Sequence, residues 1–224
     1  MTCPYYEDDL VTLYLGDCRD VDAWLSADVL VTDPPYGIAW SQPAYHGGTA
    51  HPGIVGDGDT SIRDWMLDRW GHQRPAVAFG HLKLPPPTGT RQVLVYQKAS
   101  NSGIFGAVAG WRRDLEAIYL LGEWPAEPAG DSSLLRTHAR AQGGLSGVVG
   151  RAGHPHAKPL DVMQEILAHC PPGIVADPFA GSGSTLVAAK LAGRRAIGVE
   201  IDERYCEAAA RRLAQGVLDM AVTA

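Results

Sequence analysis

Two short strings in this chain have the residue types and spacing to do chemistry: Asp33-Pro34-Pro35-Tyr36, and Asp177-Pro178-Phe179-Ala180-Gly181-Ser182-Gly183-Ser184-Thr185. In the first, two consecutive prolines forbid helix, lack backbone donors and stiffen the turn, so the Asp33 carboxylate and the Pro34 carbonyl are held as fixed acceptors. Acceptors alone suit an exocyclic NH2 group with two protons to give, and Tyr36 offers a flat face on which an extruded base can stack. The same four residues could equally do no more than end a strand. In the second string Gly181 and Gly183 let backbone approach a ligand closely, just before a helix expected to begin near Ser184. Glu200 ends the next strand, 23 residues beyond Asp177, about where an acid binds a ribose hydroxyl pair in doubly wound folds. The bland counterpart is a tight strand-to-helix turn with an exposed acid. Two other nucleotide sites fit less well: a phosphate loop needs a lysine where Ser184 stands, and a dinucleotide fingerprint needs three spaced glycines where two are present.

These strings need strands to deliver them. Each follows an apolar run, Val29 to Thr32 and Ile174 to Ala176, as buried parallel strands do. Further strands are expected at Val11 to Leu15, Ala76 to Phe79, Gln92 to Gln97, Leu115 to Leu121 and Ala196 to Glu200, giving seven with Val29 to Thr32 and Ile174 to Asp177. Helices are expected at Ile62 to Trp70, Leu160 to His169, Ser184 to Ala192 and Glu203 to Leu213, the last with Arg204, Arg211 and Arg212 off its apolar face. Pro85-Pro86-Pro87-Thr88-Gly89 reads as a stiff connector.

With its motifs in this order the chain resembles the amino-group DNA methyltransferases that use S-adenosylmethionine, in the permuted arrangement called the β group. In that group the Asp-Pro-Pro-Tyr turn precedes Asp-Pro-Phe-x-Gly-Ser-Gly-Thr, as it does here. Further likenesses are Gly16-Asp17-Cys18, Trp111-Arg112-Arg113-Asp114-Leu115-Glu116, His154-Pro155-x-x-Lys158-Pro159, and Gly198-Val199-Glu200-Ile201 with Tyr205, Ala209, Arg212 and Leu213. The resemblance implies an α/β, doubly wound, mostly parallel seven-stranded sheet with a short recognition insert. It divides a single domain into a catalytic half (1–124), an insert (125–153) and a cofactor half (154–224). It also implies a catalytic role for Asp33, Pro34, Pro35 and Tyr36. The S-adenosylmethionine contacts it implies are Asp17, Cys18, Asp33, Lys158, Asp177, Phe179, Ala180, Gly181, Ser182, Gly183, Thr185, Glu200 and Ile201. The enzyme would flip a base out of double-stranded DNA and orient its amine for in-line attack on the sulfonium methyl. Aspartate at the head of the turn leans toward adenine N6, and N4 of cytosine is the alternative. Other readings are a catalytically silent DNA-binding relative and, less well supported, an NTPase.

Composition bounds these readings. The chain has 224 residues, 46% of them hydrophobic, enough for one sizeable core. The region from Met1 to Asp9 has no signal-peptide pattern and no run is long enough to span a membrane, so a cytoplasmic protein is expected. Cys3, Cys18, Cys170 and Cys206 are scattered and read as free thiols. The pairs His46/His51 and His154/His156 lack companion ligands, and no metal is expected. A net charge of −6 is unusual for a protein that lives on phosphate, but Ser132 to Leu160 carries no acid and includes Arg136, Arg140, Arg151 and Lys158. This Gly- and Ser-rich stretch reads as a loop, and Arg136, Arg140 and Arg151 are the DNA-contact candidates. The insert is small, so the enzyme would read a very short site, pair with a second copy, or act with little selectivity. A second long loop, Gly37 to Asp59, follows Tyr36 directly and is placed to close over an extruded base.

Overall fold

The structure is a computed structural model that describes residues 3–40, 53–99, 102–103, 107–126, 130–137 and 157–215. Its strands are β1 (Tyr6–Glu7), β2 (Val11–Leu15), β3 (Val29–Thr32), β4 (Ala76–Gly80), β5 (Thr90–Gln97), β6 (Leu115–Leu121), β7 (Leu134–Arg136), β8 (Val175–Asp177) and β9 (Ala196–Glu200). Its helices are α1 (Ser61–Trp70), α2 (Leu160–His169), α3 (Ser184–Leu191) and α4 (Glu203–Gln215), with one 3-10 turn at Asp22–Ser26. The strands form one sheet in the order β1-β2-β9-β8-β3-β4-β6-β5-β7.

The seven expected strands are its contiguous centre. The sheet nevertheless has nine strands rather than seven, because β1 pairs antiparallel with β2 at one edge and β7 pairs parallel with β5 at the other. Strands of two and three residues are too short to show a periodicity of their own. β7 also corrects the reading of the acid-free stretch as loop throughout, since Leu135 is buried there and Arg136 pairs in register with Gln97. β6 runs antiparallel to both β4 and β5. The other central strands are parallel to one another, so their carboxyl ends and the start of β6 share one edge.

Alternation along the strands builds two cores. Val29 and Val31 pack into a cluster with Val162, Met163 and Ile166 of α2 and Leu186 of α3, whereas Leu30 packs on the opposite face with Met66, Leu67 and Trp70 of α1. On that second face Trp24 stacks on Trp70, centroids 6.1 Å apart and planes 15° apart. Both faces of the sheet are thus covered, which is why β3 and β4 read as unbroken apolar runs.

The order β8-β3 joins a strand from late in the chain to one from its beginning. It makes the switch point beside which α/β sheets bind ligands, outside the carboxyl ends of the strands. Gly198 lets β9 pass beneath α3: a Cβ there would lie 2.6 Å from Leu186 Cδ1 and 3.2 Å from both Ala180 Cβ and Leu13 Cδ1. Gly198→Ala should therefore overpack the core and lower unfolding stability by about 1–3 kcal/mol in urea titrations.

Candidate active site

A cavity of about 1050 Å³ opens at the carboxyl edge, over the β8/β3 switch point. Asp33, Pro34, Pro35 and Tyr36 leave β3 and line one side of it, and Asp177, Phe179, Ala180, Gly181, Ser182 and Thr185 line another. Asp17, Cys18, Lys158, Glu200 and Ile201 complete the expected set. Gly183 is the exception. It does not line the cavity but takes φ +79° at the start of α3, where a Cβ would stand 2.9 Å from Ala209 Cβ, so its requirement is backbone conformation and helix packing. Arg136 is exposed on β7 and donates to Gln97 Oε1 at 3.0 Å, away from the cavity lining. Arg140, Arg151, the four paired histidines and residues 41–52 of the long loop lie outside the described residues.

The two strings are joined by a buried hydrogen bond in which the Thr32 hydroxyl donates to Asp177 Oδ1 at 2.7 Å. The Phe179 N–H donates to the same oxygen at 3.2 Å. Burial is the main influence on this carboxyl. Together with the nearby Asp33 charge it outweighs the bonds from Thr185, Thr32 and Phe179, and lifts the pKa from 3.8 to about 7. Across the loop Glu200 accepts the Gly181 N–H on Oε2 at 2.7 Å and the Asp202 N–H on Oε1 at 2.8 Å. The Ile201 N–H adds to these bonds, so part of the carboxylate's acceptor capacity is left for a ligand. Arg212 of α4 braces the loop from behind, donating to the Ser182 carbonyl at 2.6 Å and its hydroxyl at 3.2 Å. Cys18 is buried, and desolvation raises its thiol to about 12, which leaves it inert.

The Asp-Pro-Pro-Tyr turn sits in a cluster of charges. Lys158 Nζ lies 2.5 Å from Asp33 Oδ2, 3.0 Å from the Tyr36 hydroxyl and 3.3 Å from Glu116 Oε2. The Tyr36 hydroxyl donates to Asp33 Oδ1 at 2.8 Å, and Lys98 closes the cluster 2.5 Å from Glu116 Oε1. Burial opposes charge on Glu116, but the two lysines prevail and hold its carboxyl at about 2. Burial likewise opposes charge on Lys158, and the two carboxylates overcome it and raise its pKa. For Asp33 desolvation wins over the pull of Lys158 and the pKa rises, yet 27% of its side-chain surface remains exposed for a substrate to reach.

Glu116, Lys98, Asp57 and His81 were not singled out as site residues in the sequence. Glu116 had a readable signal, a lone charge in the apolar run Leu115–Leu121. Asp57 had none: it is buried and accepts the Gly37, Ile38 and Trp40 N–H groups at 2.6, 3.4 and 2.7 Å, folding the backbone after Tyr36 around one carboxylate. His81 leaves β4 with its ring centroid 6.4 Å from that of Tyr36, and burial followed by the charge of Lys83 lowers its pKa.

A mostly parallel sheet whose switch point joins a glycine-containing loop and the acid Glu200 to an Asp-Pro-Pro-Tyr turn defines a Rossmann-like methyltransferase fold. The DNA methylase family profile matches residues 65–211, and the chain belongs to that family. Among curated relatives, the Escherichia coli strain K12 methylase YubD is 49% identical over 67 residues, 29% of this chain and 30% of YubD. The DNA adenine methyltransferase YhdJ of the same organism is 47% identical over 62 residues, 27% of this chain and 21% of YhdJ. These matches therefore span less than a third of either relative. Among solved structures, the M1.HpyAVI–SAM complex aligns over 91% of this chain and 100% of its own, with TM-score 0.63 and 21% identity. The PvuII cytosine-N4-specific DNA methyltransferase aligns over 94% of this chain and 89% of its own, with TM-score 0.64 and 16% identity. At these identities the likeness is one of fold.

Two outcomes follow from the charges. Lys158→Met leaves Asp33 and Glu116 short of their shared cation and should cost about 3–5 kcal/mol of unfolding free energy, measured by chemical denaturation. The Asp177 carboxyl binds a proton more tightly folded than unfolded, so its contribution to stability is complete below pH 3.8 and declines until the pH passes about 7. Asp177→Asn should remove that decline, so urea unfolding at a series of pH values should show its stability rising relative to wild type from pH 4 to 7 and levelling off above.

Proposed function

We propose that this chain transfers a methyl group from S-adenosylmethionine to the exocyclic N6 of adenine in DNA. The observation that carries the reading is the opening of the Asp33–Tyr36 turn and the Asp177–Thr185 loop into one cavity, tied together by Thr32 and Asp177. The donor set fits the cofactor. Glu200 would hold the ribose hydroxyls through its remaining acceptor capacity, Phe179 and Ile201 would flank the adenine with Asp17 and Cys18 at its edge, and Lys158 lines the cavity with its donors already on Asp33, Tyr36 and Glu116. When bound, S-adenosylmethionine supplies an electrophilic methyl on a positively charged sulfur.

The rest is work for this chain's own residues. Asp33 and the Pro34 carbonyl would accept hydrogen bonds from the two amine N–H groups. That draws the nitrogen lone pair out of conjugation with the ring, and a lone pair so localised is the better nucleophile. Asp33 need not be a strong base for this, and the charge cluster fixes where its oxygens point. Pro35 keeps the turn rigid. Tyr36 presents its ring to the extruded base while its hydroxyl is pinned on Asp33. Supporting the adenine reading is the aspartate at the head of the turn. The second reading, N4 of cytosine, is favoured by the overall likeness to the PvuII enzyme. We also infer that the catalytic half (1–124) and cofactor half (154–224) are parts of one domain, with 125–153 as the DNA-reading insert and Arg136 at its described end.

Incubation with S-adenosylmethionine and unmethylated duplex DNA, then nucleoside digestion and mass spectrometry, should yield N6-methyladenine, absent with Asp33→Ala. N4-methylcytosine instead would establish the second reading, and no modified nucleoside despite cofactor binding would overturn both. Tyr36→Ala should weaken base capture by about 1–3 kcal/mol, read as a raised KM for DNA.

A further inference from the structure

The connection between β5 and β6 emerges at the same sheet edge as Asp33, because β5 ends there and β6 begins there. Its base is braced: the Lys98 N–H donates to the Asp114 carbonyl at 2.8 Å, and the Arg113 N–H to the Gly103 carbonyl at 3.0 Å. Beyond the base, Val108 and Trp111 exchange both backbone hydrogen bonds, at 3.0 and 2.9 Å, across a two-residue turn. Ala109 and Gly110 take φ +50° and +85° there, the left-handed pair that a tight hairpin turn of this hand requires. For alanine that conformation is strained by about 1–2 kcal/mol.

The hairpin spends this strain on holding an apolar tip in water. Directly opposed residues of a hairpin share a face, and Val108 is 64% and Trp111 82% exposed. Trp24 and Trp70, by contrast, are buried and stacked. The exposed apolar side chains Ile38, Ile54, Val55 and Leu82 line the cavity, whereas Val108 and Trp111 stand outside it. Arg113, just after the hairpin in the chain, does line it, as does Lys83, while Arg112 and Lys98 line it paired with Asp114 at 3.1 Å and Glu116 at 2.5 Å. An apolar tip with the cations Arg113 and Lys83 beside it at the cavity matches one partner chemistry, a nucleic acid duplex whose phosphates meet the cations while a wedge enters the base stack.

We propose that the Val108–Trp111 hairpin is a wedge that enters the duplex beside the target base pair, with Trp111 stacking into the space left by the extruded base. This rests on the DNA-methyltransferase reading above. The hairpin acts on the duplex rather than on the reacting atoms, so Trp111 is a positioning residue.

The test compares wild type, Trp111→Ala and Trp111→Phe on a duplex carrying the site mapped from methylated product, and on the same duplex with an abasic site opposite the target. Trp111→Ala should keep wild-type thermal unfolding and S-adenosylmethionine affinity and lose about tenfold or more in kcat/KM on the paired duplex. It should return to within about twofold of wild type on the abasic one, where extrusion needs no wedge. Trp111→Phe should retain most activity on both. Equal rates for Trp111→Ala and wild type on paired DNA would overturn the wedge and leave this face to a protein partner, and equal losses on both duplexes would reduce Trp111 to a simple contact. A wild type that methylates no DNA would overturn the proposed activity itself. The wedge is then judged on duplex affinity, which Trp111→Ala lowers for paired DNA only if the wedge is real and leaves unchanged if it is not.

Discussion

One ammonium group draws three distant stretches of this chain onto a single point. Lys158 comes from the segment before α2, Asp33 from the end of β3 and Glu116 from the start of β6. A charge taken out of water is costly unless its partners are close and its hydrogen bonds are made, and here each group is tolerable only because the others are present. The cluster is therefore a constraint on geometry more than a source of net stability. The Asp-Pro-Pro-Tyr turn cannot drift without unpairing a buried charge. Its acceptors stay aimed into the cavity because the surrounding charges leave them no alternative position.

A second tether, a single hydroxyl–carboxyl hydrogen bond, complements it. Thr32 and Asp177 join adjacent strands that come from opposite ends of the described chain, and the raised Asp177 pKa means that the carboxyl there need not carry a full charge to be held. The two links differ in kind. The ionic cluster fixes the Asp33–Tyr36 side and the hydroxyl–carboxyl bond fixes the seam between turn and loop. Behind the loop, Arg212 and Ala209 of α4 set its curvature, the first by bonding Ser182 and the second by packing on Gly183, so residues away from the opening decide its shape.

What the sequence made legible was what local pattern determines. Val29 to Thr32 and Ala196 to Glu200 are runs of strand length with clear boundaries, and α2 begins and ends where its apolar spacing does. The site strings were legible because proline and glycine report backbone shape directly. Illegible were features that arise only from pairing across the fold. β1 and β7 exist because an edge was available to them, and Asp57 matters because three N–H groups from about twenty residues earlier converge on it. Gly183, expected at the ligand, also serves a helix contact with Ala209 that no local pattern announces. A motif position shows that a residue is constrained, without showing which neighbour imposes the constraint.

The interleaving of the sheet has a consequence for how the chain is made. β2 and β3 leave the ribosome early, yet the two strands that fill the gap between them, β9 and β8, come more than 140 residues after β3. At about 5–20 residues per second, both early strands wait roughly 10–30 s with apolar edges unpaired. The central core closes only when residues 175–200 arrive, so a nascent chain truncated before that point holds neither the seam nor the cavity. The joint that creates the binding crevice is also the last to form, and synthesis of the methyltransferase passes through an interval of dependence on whatever shields open strand edges in the cell.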